Sequence, residues 1–223
     1  MKKIIFCLLL LNAGYADAQI DGVRALPLDV TLRLNAMEYA AKYADVEGSP
    51  FLANDYKKAY VRIKGGQSFL AVPVKFNVLN NEIWFKQKDA EMILLKTDSI
   101  AYLNNPDDTF SVVALKTGYP DIGANTGSSL YQVLADGNVQ LLKYYKCNLI
   151  EIKDMNVVVG RKFEIVPEYY VFSNGSLKKI KNSKKSFKEV LPALESKIDA
   201  AFKTLTELTP EIDMIYIVNQ INK

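Results

Sequence analysis

The chain has 223 residues, 49% hydrophobic and 24% charged, with 28 Lys and Arg against 25 Asp and Glu. This is an ordinary globular composition, and it excludes a disordered chain, a collagen-like repeat and a disulfide scaffold, because two cysteines cannot staple a chain this long. The absence of histidine removes Ser-His-Asp and Cys-His nucleophilic sites, HExxH zinc sites and any imidazole base.

In chain order the first feature is an export signal. Lys2 and Lys3 form a positive start, residues 4–11 an apolar stretch too short to span a bilayer, and Ala16-Asp17-Ala18 a small-residue cleavage site. Residues 1–18 therefore read as a secretory signal peptide cleaved after Ala18, which points to a periplasmic or secreted protein. Cys7 lies too early, and next to the bulky Phe6, for a lipid-attachment signal. Without residues 1–18 the net charge is about +2, which predicts no general affinity for nucleic acid. No later stretch has the roughly 20 apolar residues of a membrane span.

Residues 19–182 read as a β-rich region. The segment 19–48 is the least legible: Val30, Leu32 and Leu34 alternate, then Met37, Ala40 and Ala41 suggest a helix. Ala59, Val61 and Ile63 alternate with polar neighbours, and Gly65-Gly66 supplies a hairpin turn. The next strand places Val72, Val74, Phe76 and Val78 on one face, while Pro73 demands a sheet edge or a bulge. After the turn Asn80-Asn81, Ile83 and Phe85 alternate with Glu82, Trp84 and Lys86. Short strands are expected at 91–95, 99–103 and 110–115, with a loop at 104–108. A long hairpin follows, with strands at 130–135 and 139–152 around Asp136-Gly137-Asn138, and Asn174-Gly175 then joins strands at 163–172 and 177–180. Alternation places Cys147 on the apolar face of its strand with Val139, Leu141, Tyr145 and Leu149, as a small core side chain.

Residues 183–223 read as a helical segment packed on the same domain. Ser186 and Glu189 have the spacing of a capping box, Pro192 can open a second helix, and Thr209-Pro210 opens a third. Leu194, Ile198, Phe202 and Leu205 share a face of the second helix, and Ile212, Ile215, Tyr216 and Asn219 one of the third. Eight to ten strands followed by helices make an α+β chain, with an antiparallel sheet or partly open barrel and a small C-terminal helical segment.

The residues at Gly48-Ser49-Pro50-Phe51-Leu52, Gly65-Gly66, the Val72-Pro73-Val74-Lys75-Phe76-Asn77-Val78 strand and Glu82-Ile83-Trp84-Phe85-Lys86 resemble a family of uncharacterised secreted proteins common in Bacteroidota. The ending Tyr169-Tyr170-Val171-Phe172, Leu177-Lys178-Lys179-Ile180 and Lys184-Lys185-Ser186-Phe187 is similar to that family's ending. The resemblance implies export from a Gram-negative cell and this order of elements. It supplies no activity, cofactor or catalytic residue.

Several residue patterns carry candidate chemistry. Lys116-Thr117-Gly118 and Ser176-Leu177-Lys178-Lys179 imitate penicillin-binding motifs, but in the wrong order and on strand patterns where residues three apart face opposite ways. The small-residue loop from Gly123 to Ser129 lacks a P-loop ending and reads as a connection. Asp107-Asp108 and Asp136-Gly137-Asn138 lack the ligand spacing of a calcium loop, and Asn174-Gly175-Ser176 is explained as a turn. Glu151, Asp154, Glu164 and Glu168 could supply a histidine-free glycosidase if two met across a cleft. Trp84 and the tyrosines could form a stacking surface.

The basic run Lys178, Lys179, Lys181, Lys184, Lys185 and Lys188 could dock an acidic partner, or be a solvated turn and helix start. No catalytic, cofactor or metal residue is assigned. The leading expectation is an exported, non-enzymatic binding or interaction protein for an unknown protein or small-molecule ligand. A half-barrel carrier of an apolar ligand such as a lipid, and a carboxylate hydrolase, are the alternatives.

Overall fold

The computed structural model describes residues 26–87, 90–103, 112–206 and 208–223. The expected signal peptide at 1–18, the expected loop at 104–108 and Asp107-Asp108 lie outside the described residues. Twelve strands form one mainly antiparallel sheet that does not close. They are β1 (Thr31–Arg33), β2 (Val46–Glu47), β3 (Lys57–Ile63), β4 (Ser68–Asn77), β5 (Glu82–Gln87), β6 (Ala90–Leu94), β7 (Thr97–Leu103), β8 (Val112–Lys116), β9 (Tyr131–Ala135), β10 (Val139–Asp154), β11 (Val157–Ser173) and β12 (Ser176–Ile180). Helix α1 (Ala36–Lys42) precedes β2, and α2 (Lys184–Val190), α3 (Glu195–Lys203) and α4 (Pro210–Ile221) end the chain. The strand order is β1-β6-β5-β4-β3-β7-β8-β9-β10-β11-β12, and β2 pairs in parallel with the far part of β11.

Two cores lie against one face of the β10–β11 ribbon. Strands β3 to β8 turn Val61, Ile63, Val72, Val74, Phe76, Ile83, Phe85, Ile100 and Leu115 inward, and Tyr145, Cys147 and Ile165 of the ribbon pack against this cluster. Farther back on the ribbon, Val139, Leu141 and Val171 receive Phe187, Ile198, Met214, Ile217 and Val218 from the helices. Each of these buried helical side chains contributes about 1.5–3 kcal/mol of apolar transfer. On the opposite face Leu142 and Tyr170 pack with Tyr119, Tyr131 and Leu177. The α+β class and the antiparallel sheet expected from the sequence are therefore present, with more strands than the eight to ten anticipated.

Pro73 stands in register opposite Lys58, just outside the β4–β5 pairing that begins at Val74, and the bulge comes two residues before it. Strand β4 is interior, and the β3–β4 register shifts beside Ala71, whose φ is +55°.

The helix starts required correction. Ser183, not Ser186, caps α2 by accepting the Ser186 N–H at 3.2 Å, and the Ser186 hydroxyl instead accepts the Lys181 N–H at 3.0 Å. The chain leaves β12 within hydrogen-bonding reach of α2, so the earlier serine meets the first free amides. Pro192 opens a 3-10 turn and α3 follows it.

Thr209 and Pro210 begin α4 as expected, but the buried face differs. Met214, Ile217, Val218 and Ile221 are buried, whereas Ile212 is 48% exposed and Asn219 lies at the surface. The helix is apolar over much of its circumference, so the sheet takes its cleanest i, i+3, i+4, i+7 stripe. Glu211 fixes that rotation, because the ribbon holds its carboxylate through Lys143 at 2.6 Å and the Tyr169 hydroxyl at 2.8 Å.

One clamp joins the helices to the β9–β10 turn. The Asn222 side chain accepts the Val139 N–H at 3.0 Å and donates to the Val139 carbonyl at 2.8 Å. Gly137 leaves room for it: a Cβ there would lie 2.7 Å from the Asn222 amide. Asn222→Ala is expected to cost about 1–3 kcal/mol by stripping buried backbone groups of their partner. Gly137→Ala should lower the Tm as well, and thermal melts of the double variant should show a smaller loss than the sum of the two, because the shortened side chain frees the contested space.

Candidate functional site

The six lysines of the basic run do not form one surface. Lys178 and Lys179 are neighbours on β12, opposite Val171 and Tyr170, so their side chains leave the sheet on opposite faces. Lys179 pairs with Glu168 at 2.8 Å, and Lys181 is exposed in the link to α2. Only Lys184, Lys185 and Lys188 come together, lining with Glu189 an open hollow of about 500 Å³ over α2.

Much of that positive charge is matched within the fold. Lys184 reaches Asp199 at 2.5 Å, Lys188 reaches Asp199 at 3.0 Å and Glu195 at 2.6 Å, and Lys185 lies 3.9 Å from Glu189. Hydrogen bonds from Lys184 and Lys188 hold the Asp199 carboxyl below its ordinary value. Lys184 and Lys188 thus serve as ties from α2 to α3, in a region where each exposed pair contributes little by itself.

The four acidic residues are not brought into one cleft. Glu151 is opposite Arg161, whereas Glu164 is opposite Asn148 and Glu168 opposite Tyr144, so Glu151 leaves the ribbon on the other face. Glu164 and Glu168 share a face, but four residues of strand separate them by about 13 Å, wider than the roughly 5–10 Å of glycosidase carboxylates. Glu168 accepts from the Tyr170 hydroxyl at 2.7 Å. Its carboxyl is held below its ordinary value by Lys179 and Tyr170, against the opposing effect of burial, with Lys146 adding to the field. Asp154 is exposed at the end of β10.

The remaining sequence patterns resolve into structure. Lys116 ends β8 with Thr117-Gly118 just after it, and Ser176 begins β12, with β9, β10 and β11 between them. The loop at 123–129 spends its amides on itself: Gly127 donates to Asp121 at 2.8 Å, Thr126 to the Ser129 hydroxyl at 3.0 Å, and Asn125 to the Ile122 carbonyl at 3.0 Å. Asn81 clamps the loop's end by accepting the Leu130 N–H at 3.0 Å and donating to the Ser128 carbonyl at 3.2 Å. An anion would find these donors occupied. Among the described residues no group of three or more Cys, Asp or Glu side chains gathers to hold a metal.

Trp84 is 4% exposed and cannot serve as a stacking platform. Tyr39 and Phe51 meet its ring edge-on at 4.7 and 4.9 Å, and its Nε1 donates to Glu82 at 3.1 Å. Beside this aromatic group Lys75 sits 4.0 Å from the Phe51 ring centre, and Tyr56 donates to Glu91. Desolvation lowers the Lys75 amine from its ordinary value. Alternation revealed the strand but not this second layer, because the covering rings come from α1 and the loop before β3.

The surface that sequence reasoning missed is the arm made by the far halves of β10 and β11. Among the described residues β10 pairs with β9 only at Leu141, Leu142 and Lys143, and beyond that its sole sheet partner is β11. The arm ends in a two-residue turn at Met155 and Asn156, both at positive φ, with Met155 94% exposed. Val157, Val158 and Val159 are also exposed, and a register shift between Ile152 and Lys153 leaves the extra residue in β11. The signal was the run Val157-Val158-Val159, whose apolar side chains fill both faces of a strand, directly after Met155-Asn156. Arg161 anchors the arm by a fork to Asp45 at 2.7 and 3.2 Å, beside the short β2 pairing.

No family model, curated protein or solved structure matches the chain.

Two measurements check this assignment of side chains. The emission of Trp84, the single tryptophan, should be blue-shifted and poorly quenched by iodide. The folded Asp199 pKa lies below 3.8, so its contribution to stability is present at neutral pH and fades as pH falls through the folded value. The Tm gap between the protein and Asp199→Asn should accordingly shrink once the pH is taken well below 3.8.

Proposed function

We propose that the chain is an exported interaction protein that works by binding another protein through the β10–β11 arm, not by catalysis. The observation that carries this reading is the arm itself: a ribbon that continues past its neighbours in the sheet and ends in apolar side chains exposed to solvent. Apolar surface left exposed at a strand end is an association site, and an unpaired strand edge offers main-chain groups to a partner. Residues 1–18 serve as the signal peptide, cleaved after Ala18, and the resemblance to secreted Bacteroidota proteins supports the same compartment.

The lysine hollow is a secondary contact for acidic groups, reduced by the pairing of Lys184 and Lys188 with Asp199 to the reach of Lys185. A lipid-carrying half-barrel has less support, because Phe187, Ile198, Met214 and Ile217 fill the space between ribbon and helices. A carboxylate hydrolase is weakened by the separation of Glu151, Glu164 and Glu168.

Cells that export the protein provide the test. A photo-crosslinking residue at Val158 should give a discrete protein adduct, while the same residue at Leu70, exposed elsewhere on the sheet, should not. Equal labelling at both positions, or none at Val158, overturns the arm as the contact surface. The mass of the exported chain should correspond to a start at Gln19; retention of residues 1–18 would overturn the export reading.

A further inference from the structure

We infer that the partner of the arm is a second copy of this chain, joined by antiparallel pairing of β10 with β10 about a two-fold axis at Ile150. The inference rests on the arm being the contact surface and names what it contacts. Its first support is the free edge. From Tyr144 to Asp154 the described β10 backbone pairs with β11 on one side and with no strand on the other, an edge on the order of 35 Å long. The stretch contains no proline or glycine, and the extra residue of the bulge lies in β11, so β10 stays regular to its end. Its two lysines, Lys146 and Lys153, are the usual charges that blunt such an edge.

The second support is charge matching: two same-face registers set opposite charges together, and the one about Ile150 spans nine residues of the free edge, whereas the one about Ile152, which sets Lys153 against Glu151, spans only five. A two-fold axis perpendicular to the sheet sets residues of equal parity opposite one another, because side chains must stay on their own face. With the axis at Ile150, Lys146 of each copy faces Asp154 of the other, Asn148 faces Ile152, and the two Ile150 side chains meet at the centre. On the other face Leu149 opposes Glu151, Cys147 opposes Lys153, and Tyr145 opposes the exposed Met155. Shifting the axis to Glu151 sets two carboxylates together, and shifting it to Asn148 would carry Lys153 to Lys143, where β9 already occupies the edge. At Leu149 no opposite charges meet. The Ile150 register alone among these four turns the lysine nearer the sheet from a barrier into an ion pair at each end, around an apolar centre.

The test measures association of the purified full chain by sedimentation from 1 to about 200 μM and reads the register by charge exchange. A dimer is expected, with Lys146→Asp and Asp154→Lys each raising its Kd at least tenfold, and with the double variant restored to within about threefold. Circular dichroism checks that every variant keeps its sheet. A second reading uses Ile150→Cys in a Cys7→Ser, Cys147→Ser background: mild oxidant should link it to itself, since opposed strand residues lie within disulfide reach. Leu149→Cys in the same background should link poorly. A protein monomeric throughout the range overturns the inference, as does a dimer indifferent to both charge reversals, or one in which Leu149→Cys links as well as Ile150→Cys. If the chain is monomeric while Val158 still crosslinks a different protein, the arm remains a contact surface and only its partner changes. If the chain is monomeric and Val158 captures nothing, both readings fall.

Discussion

From Val139 to Ile152 strand β10 keeps unbroken register with β11, so every second side chain stays on the same face for the whole length of the ribbon. That constraint gives the molecule its two cores. Leu141 and Val171 meet the helices, while Tyr145, Cys147 and Ile165, in step on the same face, lie under the strands of the first half. A one-residue slip anywhere between them would send one set to the opposite face, where Leu142 and Tyr170 already pack on Tyr131. The register shift comes only at Ile152 and Lys153, past the last of these inward contacts.

Burial along the ribbon tunes its polar atoms as well. The Tyr145 hydroxyl donates to Gln132 and is pushed by burial to about 12, and Tyr102 nearby is raised to the same level. Both stay neutral across ordinary pH, so they act here as apolar bodies with one hydrogen-bonding tip. Cys147, raised by the same desolvation, is a poor thiolate at neutral pH and fits the role of a small packing side chain.

Most of the fold was legible in alternation and turns. Val72, Val74, Phe76 and Val78 are all buried, as their spacing required, and Asn174-Gly175 sits at positive φ between β11 and β12. The shortest strands, β1 and β2, carry too few residues to show a period, and their pairings with β6 and β11 are decided by distant chain. The face of α4 was misjudged because an almost wholly apolar helix has several plausible stripes, and the deciding contacts of Glu211 lie on Lys143 and Tyr169. A charge run read as a string hides the turn from strand to helix, so it did not show that Lys178 and Lys179 leave β12 on opposite faces while Lys184 and Lys188 gather on α2. The arm was missed for a related reason: a strand pattern records which face is apolar, not whether a neighbour sits beside it.

The position of the ribbon in the chain governs how the molecule acquires its structure. Strands β3 to β7 are complete by Leu103, yet their apolar face waits for Tyr145, Cys147 and Ile165, and Asp45 meets Arg161 across 116 residues. Contacts of such separation must pay loop-closure entropy before they yield any burial, which places this fold among the slow ones. Until the ribbon closes over it, the apolar face of the first half has no cover from this part of the chain, and such uncovered strands are the ones that invite aggregation.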